Sequence, residues 1–279
     1  MTNEVDIEQY IIKADYYIKN LLFSLVPLYR KEHGEEQDVV VPLFTSLHST
    51  SESILILLLN HGIYDADILL RTVMEGTVKY CYLMTGTKKE RNEKYLEYKI
   101  KLPEISRIFD HRKAVEAVEI LQEFSDNNTK PFECDILSND ELSRLMTLYP
   151  KKLQLAIKKK WSYQSLIRSL AENYSEYKAQ LGTLSTYALT SHLCHYDWTG
   201  VSSRLCQMME STNPSSKIYD ILHTIRIISN VLSMELFRVA EYLRGNNFNS
   251  KSVSELSIEI LSFITKLDNY SNKMLAENI

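Results

Sequence analysis

The sequence predicts an all-α protein, a single multi-helix bundle of about nine helices over residues 1–279. Three observations carry this expectation. Only 7 Gly and 6 Pro punctuate 279 residues, too few for the turns of a many-stranded β fold. Apolar residues recur at three- and four-residue spacing along most of the chain. The one strand-like scrap is Val39-Val40-Val41-Pro42, and Pro42 suits the first turn of a helix better.

The first helix is expected over 4–33, with Val5, Tyr10, Ile11, Ala14, Ile18, Leu21, Leu22 and Leu25 in phase and Pro27 kinking or ending it. A second runs from Pro42 to about His61, where Asn60-His61-Gly62 closes it. The third, 64–86, is the stretch around which the others are organised. Asp65 or Asp67 can cap its start and Gly86 can stop it. Leu69, Leu70, Val73, Met74, Val78, Cys81, Tyr82 and Leu83 cover most of its circumference, as in a helix at the centre of a bundle. The very short connection makes helices two and three antiparallel neighbours.

Residues 88–113 hold nine Lys or Arg against five Asp or Glu, with Tyr95 and Tyr98 among them. They read as a solvated helix interrupted near Pro103, followed by a helix from about Arg112 to Phe124. Residues 125–140 are expected to be a mobile loop, and 139–148 a short helix ending before Pro150. Five lysines and no acid occupy 151–160, ending in Lys158-Lys159-Lys160-Trp161. A short helix at 162–173 precedes a long one at 175–196, with Tyr177, Leu181, Leu184, Ala188 and Ser191 on one side. Pro214 and Gly245 bracket the longest helix, 214–244, and 252–276 is the last.

The composition is that of an ordinary soluble chain, 44% hydrophobic and 24% charged. A net charge of −4 supplies no global attraction to nucleic acid or an anionic membrane. Cys81, Cys134, Cys194 and Cys206 stand far apart without a Cys-x-x-Cys, as reduced thiols of a cytoplasmic protein would. The start carries Glu4, Asp6 and Glu8, so no signal peptide is expected, and the longest apolar run, Ile54–Leu59, is too short to cross a bilayer. No metal or cofactor is expected. His-Glu-x-x-His, paired Glu-x-x-His and the phosphate-binding glycine patterns are missing, and His192 and His195 are a thin basis for an ion.

Two polar clusters interrupt apolar faces. Arg71 and Glu75, four residues apart, share a sector with Ile68, Met74, Val78 and Tyr82. On a continuous helix, His195 falls in line with Ser191, Ala188, Leu184 and Leu181, and so should meet a neighbouring helix where Glu75 or Ser191 could partner it. A carboxylate beside an imidazole makes an acid–base catalyst, and an Arg clamps a phosphate or an oxyanion. Arg71, Glu75, Ser191, His195 and Asp197 would together suit metal-independent phosphodiester chemistry. The same residues equally suit a self-satisfied structural network in a protein-binding scaffold. The basic stretches could track a phosphate backbone, with Lys158, Lys159 and Lys160 on phosphates and Tyr95, Tyr98 and Trp161 on bases. They equally suit a solvated face.

The Arg71-x-x-x-Glu75 helix, with Ser191-x-x-x-His195-x-Asp197 after it, resembles an uncharacterised all-helical bacterial family, a domain of unknown function, over roughly residues 40–245. More distantly it resembles HEPN-type domains, many of them ribonuclease toxins in defence and toxin–antitoxin systems. Their signature is Arg, four to six residues, then His on one helix. Here Arg107-Ile-Phe-Asp-His111 has three intervening residues, so a nuclease would draw its Arg and His from different helices. The resemblance implies an intracellular effector or accessory acting on RNA or a nucleotide, with His195 as acid–base, Glu75 and Asp197 orienting it, and Arg71 as clamp. The competing expectation is a helical scaffold for a cognate protein partner. The helices at 214–244 and 252–276 could also pair two copies.

Overall fold

A computed structural model describes residues 7–30, 37–123, 129–210 and 214–278. Among them every regular element is helical and none is a strand, as the sparse glycine and proline imply. There are twelve α-helices of nine residues or more and a four-residue turn of helix, not about nine. In chain order they are α1 (Ile7–Tyr29), α2 (Gln37–Leu59), α3 (Ile63–Met84), α4 (Lys88–Leu96), α5 (Leu102–Glu123), α6 (Lys130–Glu133) and α7 (Asn139–Leu148). Next come α8 (Lys151–Lys160), α9 (Tyr163–Asn173), α10 (Thr183–His195), α11 (Trp198–Glu210), α12 (Pro214–Gly245) and α13 (Lys251–Asn278). The single bundle expected for 1–279 is divided. Residues 1–85 with 167–279 form one compact unit, and residues 86–166 form a second.

In the first unit α3 is the central helix. It packs against α2, α10 and α12, while α1 lies on α2, α12 and α13. Leu70, Val73, Met74, Val78, Tyr80, Cys81 and Leu83 are all buried, which is why its sequence is apolar nearly all round. α2 and α3 are joined through Asn60-His61-Gly62, with His61 in the left-handed region at φ 60°. Gly76 lets them close: a Cβ there would fall 2.2 Å from Leu47 Cδ2. Pro42 lies inside α2, not at its start. By length and apolarity α2 as a whole could cross a bilayer, which the run Ile54–Leu59 alone does not reveal. Its apolar side, including Phe44, Leu47, Ile54 and Leu58, is spent on the core.

Ionised groups also enter this core. Glu235 and Arg238 of α12 are each 0% exposed and paired at 2.5 Å, with His48 Nδ1 3.4 Å from Glu235 and Arg238 donating to Thr77 of α3. Burial works against the Glu235 charge, but Arg238 and His48 outweigh it and hold its carboxyl below the usual range. Toward the end of α12, Tyr177 donates to Glu241 at 2.5 Å and Arg244 grips the same carboxylate at 2.6 Å.

The second unit is built on residues 88–123. α4 begins at a capping box, in which Thr87 accepts from the Glu90 N–H and Glu90 accepts from the Thr87 N–H. The helix does not break at Pro103. A π-helical stretch, 97–101, widens the turn before it, with the Leu102 N–H reaching back to the Glu97 carbonyl. The widened turn absorbs a ring that cannot donate and would crowd a regular helix. α7 docks on α5 through Arg107–Glu141 at 2.9 Å, Arg144–Glu104 at 3.1 Å and Tyr149–Glu104 at 2.5 Å. Of the loop expected at 125–140, residues 125–128 lie outside the described residues, and the rest contains α6 and the start of α7.

Candidate functional site on the third helix

Asp67, Arg71 and Glu75 succeed one another at four-residue spacing, so they form one polar stripe on α3. Neither Asp65 nor Asp67 caps that helix, whose N-cap is Gly62 with no side-chain bond. Asp65 instead pairs with Arg204 of α11 at 2.7 Å. Asp67 is 1% exposed, and α12 satisfies it. His223 Nε2 lies 2.5 Å from Oδ2, and Arg226 Nη2 lies 2.8 and 3.0 Å from the two oxygens. The His223 side chain is 24% and that of Arg226 35% exposed, so the carboxylate is inside and the groups it orients reach solvent. The Tyr64 ring stands nearly perpendicular to the imidazole, at an interplanar angle of 82°, with the ring centroids 5.8 Å apart.

One turn further along, Arg71 and Glu75 meet α10, as the sequence implies, but through a different residue. Tyr187 receives the Arg71 guanidinium over its ring at 4.1 Å and accepts a 3.1 Å hydrogen bond from it. The Tyr187 hydroxyl lies 3.2 Å from Glu75, which also pairs with Lys79 at 2.7 Å. Burial disfavours the Glu75 charge, yet Lys79, Tyr187 and Arg71 together hold its carboxyl below the ordinary glutamate range. Burial, joined by the Glu75 charge, pushes the Tyr187 phenol up.

The pairing expected for His195 does not form. His195 is exposed at the last position of α10 and makes no hydrogen bond or ion pair among the described residues. Ser191 is half-buried on the same helix. Asp197 serves His192, at 2.5 Å, and the N–H of Gly200, at 3.1 Å, so it caps the start of α11 instead of orienting His195. The cause is residues 175–182, which are 3₁₀-helical and not the first turns of a long α-helix. A 3₁₀ turn advances each residue by roughly 20° more than an α turn, so Tyr177 and Leu181 fall out of register with the residues of α10.

The basic run is likewise committed within its own unit. Trp161 is 4% exposed, donates to Glu97 at 3.1 Å and lies 5.5 Å from the Tyr98 ring. Tyr95 is also buried. Neither ring is presented for a base to stack upon, which corrects the stacking role expected of them. Lys160 pairs with Glu97 at 2.6 Å, and Lys158 sits over the Phe109 ring at 3.2 Å. Lys159 is exposed.

α10 turns into α11 at Tyr196, a C-cap residue held in the left-handed region at φ 50°. The two helices touch closely, for a Cβ on Gly200 would fall 2.3 Å from the His192 carbonyl oxygen. Between them and the start of α3 lies a cavity of about 240 Å³, walled by Tyr64, Ile68, Leu193, Tyr196, Val201 and Leu205. Arg204 is its charged member. Among the described residues no three His, Cys, Asp or Glu side chains gather as a metal ion would require.

Residues 37–212 match the model of the Family of unknown function (DUF5677). The chain belongs to that family. No curated protein and no solved structure matches it. The matched span carries Asp67, Arg71, Glu75, Tyr187 and the walls of the cavity; His223 and Arg226 come from α12, beyond it.

Proposed function

We propose that this protein carries out metal-independent acid–base chemistry on a phosphodiester of RNA or a nucleotide, with His223 as the acid–base in place of His195. The observation that supports this is the wholly buried Asp67 carboxylate behind a partly exposed imidazole, with a guanidinium on the same carboxylate. A carboxylate only accepts, so Nε2 carries the proton that faces Asp67 and Nδ1 keeps a lone pair for substrate. Arg226 beside it and Arg71 one turn along α3 supply positive charge for a phosphate and for the charge that develops on it. Arg71 of α3 and His223 of α12 come from different helices, as the distant HEPN resemblance would require here. A cytoplasmic effector of a defence or toxin–antitoxin system is the setting such chemistry would serve.

The test is cleavage of a single-stranded RNA oligonucleotide and of 2′,3′-cyclic nucleotides in the presence of EDTA. Removal of a positioned acid–base typically costs 10²–10⁴-fold, so His223→Ala should lose at least about a hundredfold while keeping its helical spectrum. A folded His223→Ala that works as fast as the parent, or a parent inert on every phosphodiester offered, would overturn the proposal.

A second reading has its own observation. Arg71, Glu75, Lys79 and Tyr187 satisfy one another, while Tyr196, Trp198 and Tyr219 are 64%, 76% and 66% exposed. A scaffold that clips α3 to α10 and α12 and offers those aromatic rings to a protein partner would look the same. His223→Ala would then move only the melting temperature.

A further inference from the structure

We infer that Tyr64 is a positioning residue for His223: braced by α11, its ring is kept out of the cavity it borders and holds the imidazole in line with Asp67. The use of that hold rests on the acid–base role proposed for His223, but the hold itself can be tested apart from any reaction. Asp67 pins the imidazole at one atom only, Nε2, at 2.5 Å. A ring fixed by a single hydrogen bond can still pivot about it, and the His223 side chain is 24% exposed, so space is open for that motion. Tyr64 precedes Asp67 by three residues on α3, and both residues meet His223 from the same face of that helix. The Tyr64 ring and the imidazole cross at 82° with centroids 5.8 Å apart, a perpendicular aromatic pair that a pivot would break.

Tyr64 needs holding in turn, because it borders open space. It lines the cavity between α3, α10 and α11 as well as packing on His223, which is not among the cavity walls. Apolar cavities of about 150 Å³ take up benzene, so about 240 Å³ walled by Ile68, Leu193, Val201 and Leu205 is room for the Tyr64 ring itself. Three contacts keep the ring out of it. The Tyr64 hydroxyl donates to the Ser203 carbonyl of α11 at 3.2 Å. The Arg204 guanidinium, also on α11, stands over the ring at 5.6 Å from its centroid. Asp65, next to Tyr64 in the chain, steadies that guanidinium at 2.7 Å. α11 thereby acts on His223 through Tyr64. Freed of these ties, the ring swings into the cavity and the imidazole loses its wall.

The readout is the His223 Nε2–H proton in the NMR spectrum, identified by its loss in His223→Gln. A proton held against a buried carboxylate resonates far downfield and exchanges slowly with water, and the parent should show it. Tyr64→Leu should speed its exchange at least about threefold, since a perpendicular aromatic pair favours one arrangement by roughly 2- to 10-fold. Tyr64→Phe, which keeps the ring and loses the tie to Ser203, should fall between. Val201→Phe, which fills the cavity, should return Tyr64→Phe to the parent rate and change nothing by itself. On a phosphodiester that the parent cleaves, Tyr64→Leu should lower kcat by a similar factor and leave KM unchanged. A parent without the signal, or a Tyr64→Leu variant, folded by circular dichroism, that exchanges as slowly as the parent, would overturn the positioning role. Should Tyr64→Leu not fold, Tyr64→Phe decides: parent-like exchange there, or a loss that Val201→Phe does not repair, overturns it equally. A signal that depends on Tyr64 in a protein inert on every phosphodiester would leave the positioning standing and remove the chemistry; cleavage that needs His223 but ignores Tyr64→Leu would do the reverse.

Discussion

Asp67 is almost sealed from water, so its charge is answered entirely by His223 and Arg226. Asp67→Ala leaves a guanidinium facing an empty, desolvated space and an imidazole without its anchor. Because both partners reach solvent they can rehydrate in part, so the loss should sit near the lower end for a broken buried pair, about 2–3 kcal/mol by urea unfolding. His195→Ala, at an exposed position without partners among the described residues, should stay within about 0.5 kcal/mol. Equal losses from the two variants would contradict the placement of both residues. Glu75 gives a pH-dependent counterpart. Its folded pKa lies below the ordinary glutamate value, so it contributes stability that is present above about pH 4.3 and disappears as pH falls through the lower folded value. Glu75→Gln should therefore be less stable than the parent at pH 7, with the gap closing on acidification toward pH 3. A gap as wide at pH 3 as at neutrality would show that the Lys79, Tyr187 and Arg71 contacts do not act on its charge.

Helices assert themselves in a sequence when their apolar face is long and unbroken, and α3 is readable for that reason. Its glycine makes a sharp prediction. Gly76→Ala would gain up to about 1 kcal/mol of helix propensity, but the new methyl meets Leu47 Cδ2 at 2.2 Å and its Cγ at 3.1 Å, and overpacking typically costs 1–3 kcal/mol. Net destabilisation is expected, reversing to stabilisation in a Leu47→Ala background where the space is vacated; a double-mutant cycle measures it. The polar interruptions are equally legible on α3, since Arg71 and Glu75 stand out against Met74 and Val78. The same signal runs along α12, where His223, Arg226, Glu235, Arg238 and Glu241 interrupt Ile225, Ile228, Leu232 and Val239. Charges there mark the partners of Asp67 and the buried pair around Glu235, yet one sequence does not say which charge meets which. Residues 175–182 mislead because 3₁₀ and α periods cannot be told apart over two turns, and that ambiguity puts His195 on the wrong face. α11 escapes notice because its first turn, Trp198-Thr-Gly-Val201, carries a glycine that serves close packing against α10.

At the scale of the molecule, the charged stretch beginning at Thr87 is a compact unit with its own internal bonds, not one solvated side of a single bundle. The chain's two tryptophans divide between the units and make this measurable. Trp161 belongs to residues 86–166, is 4% exposed and donates to Glu97; Trp198 belongs to the other unit and is 76% exposed. In a Trp198→Phe variant, the remaining fluorescence should be blue-shifted and should report the melting of residues 86–166 alone. In a Trp161→Phe variant, emission should peak near that of free indole in water. Units with separate cores can unfold separately, so the Trp161 transition should depart from the far-ultraviolet circular dichroism transition, which weighs all helices. Glu97→Gln loosens Lys160 and Trp161 together and should lower the Trp161 transition while leaving the helices of the first unit intact. Superposition of the two transitions in every variant would show instead that the chain unfolds as one cooperative body.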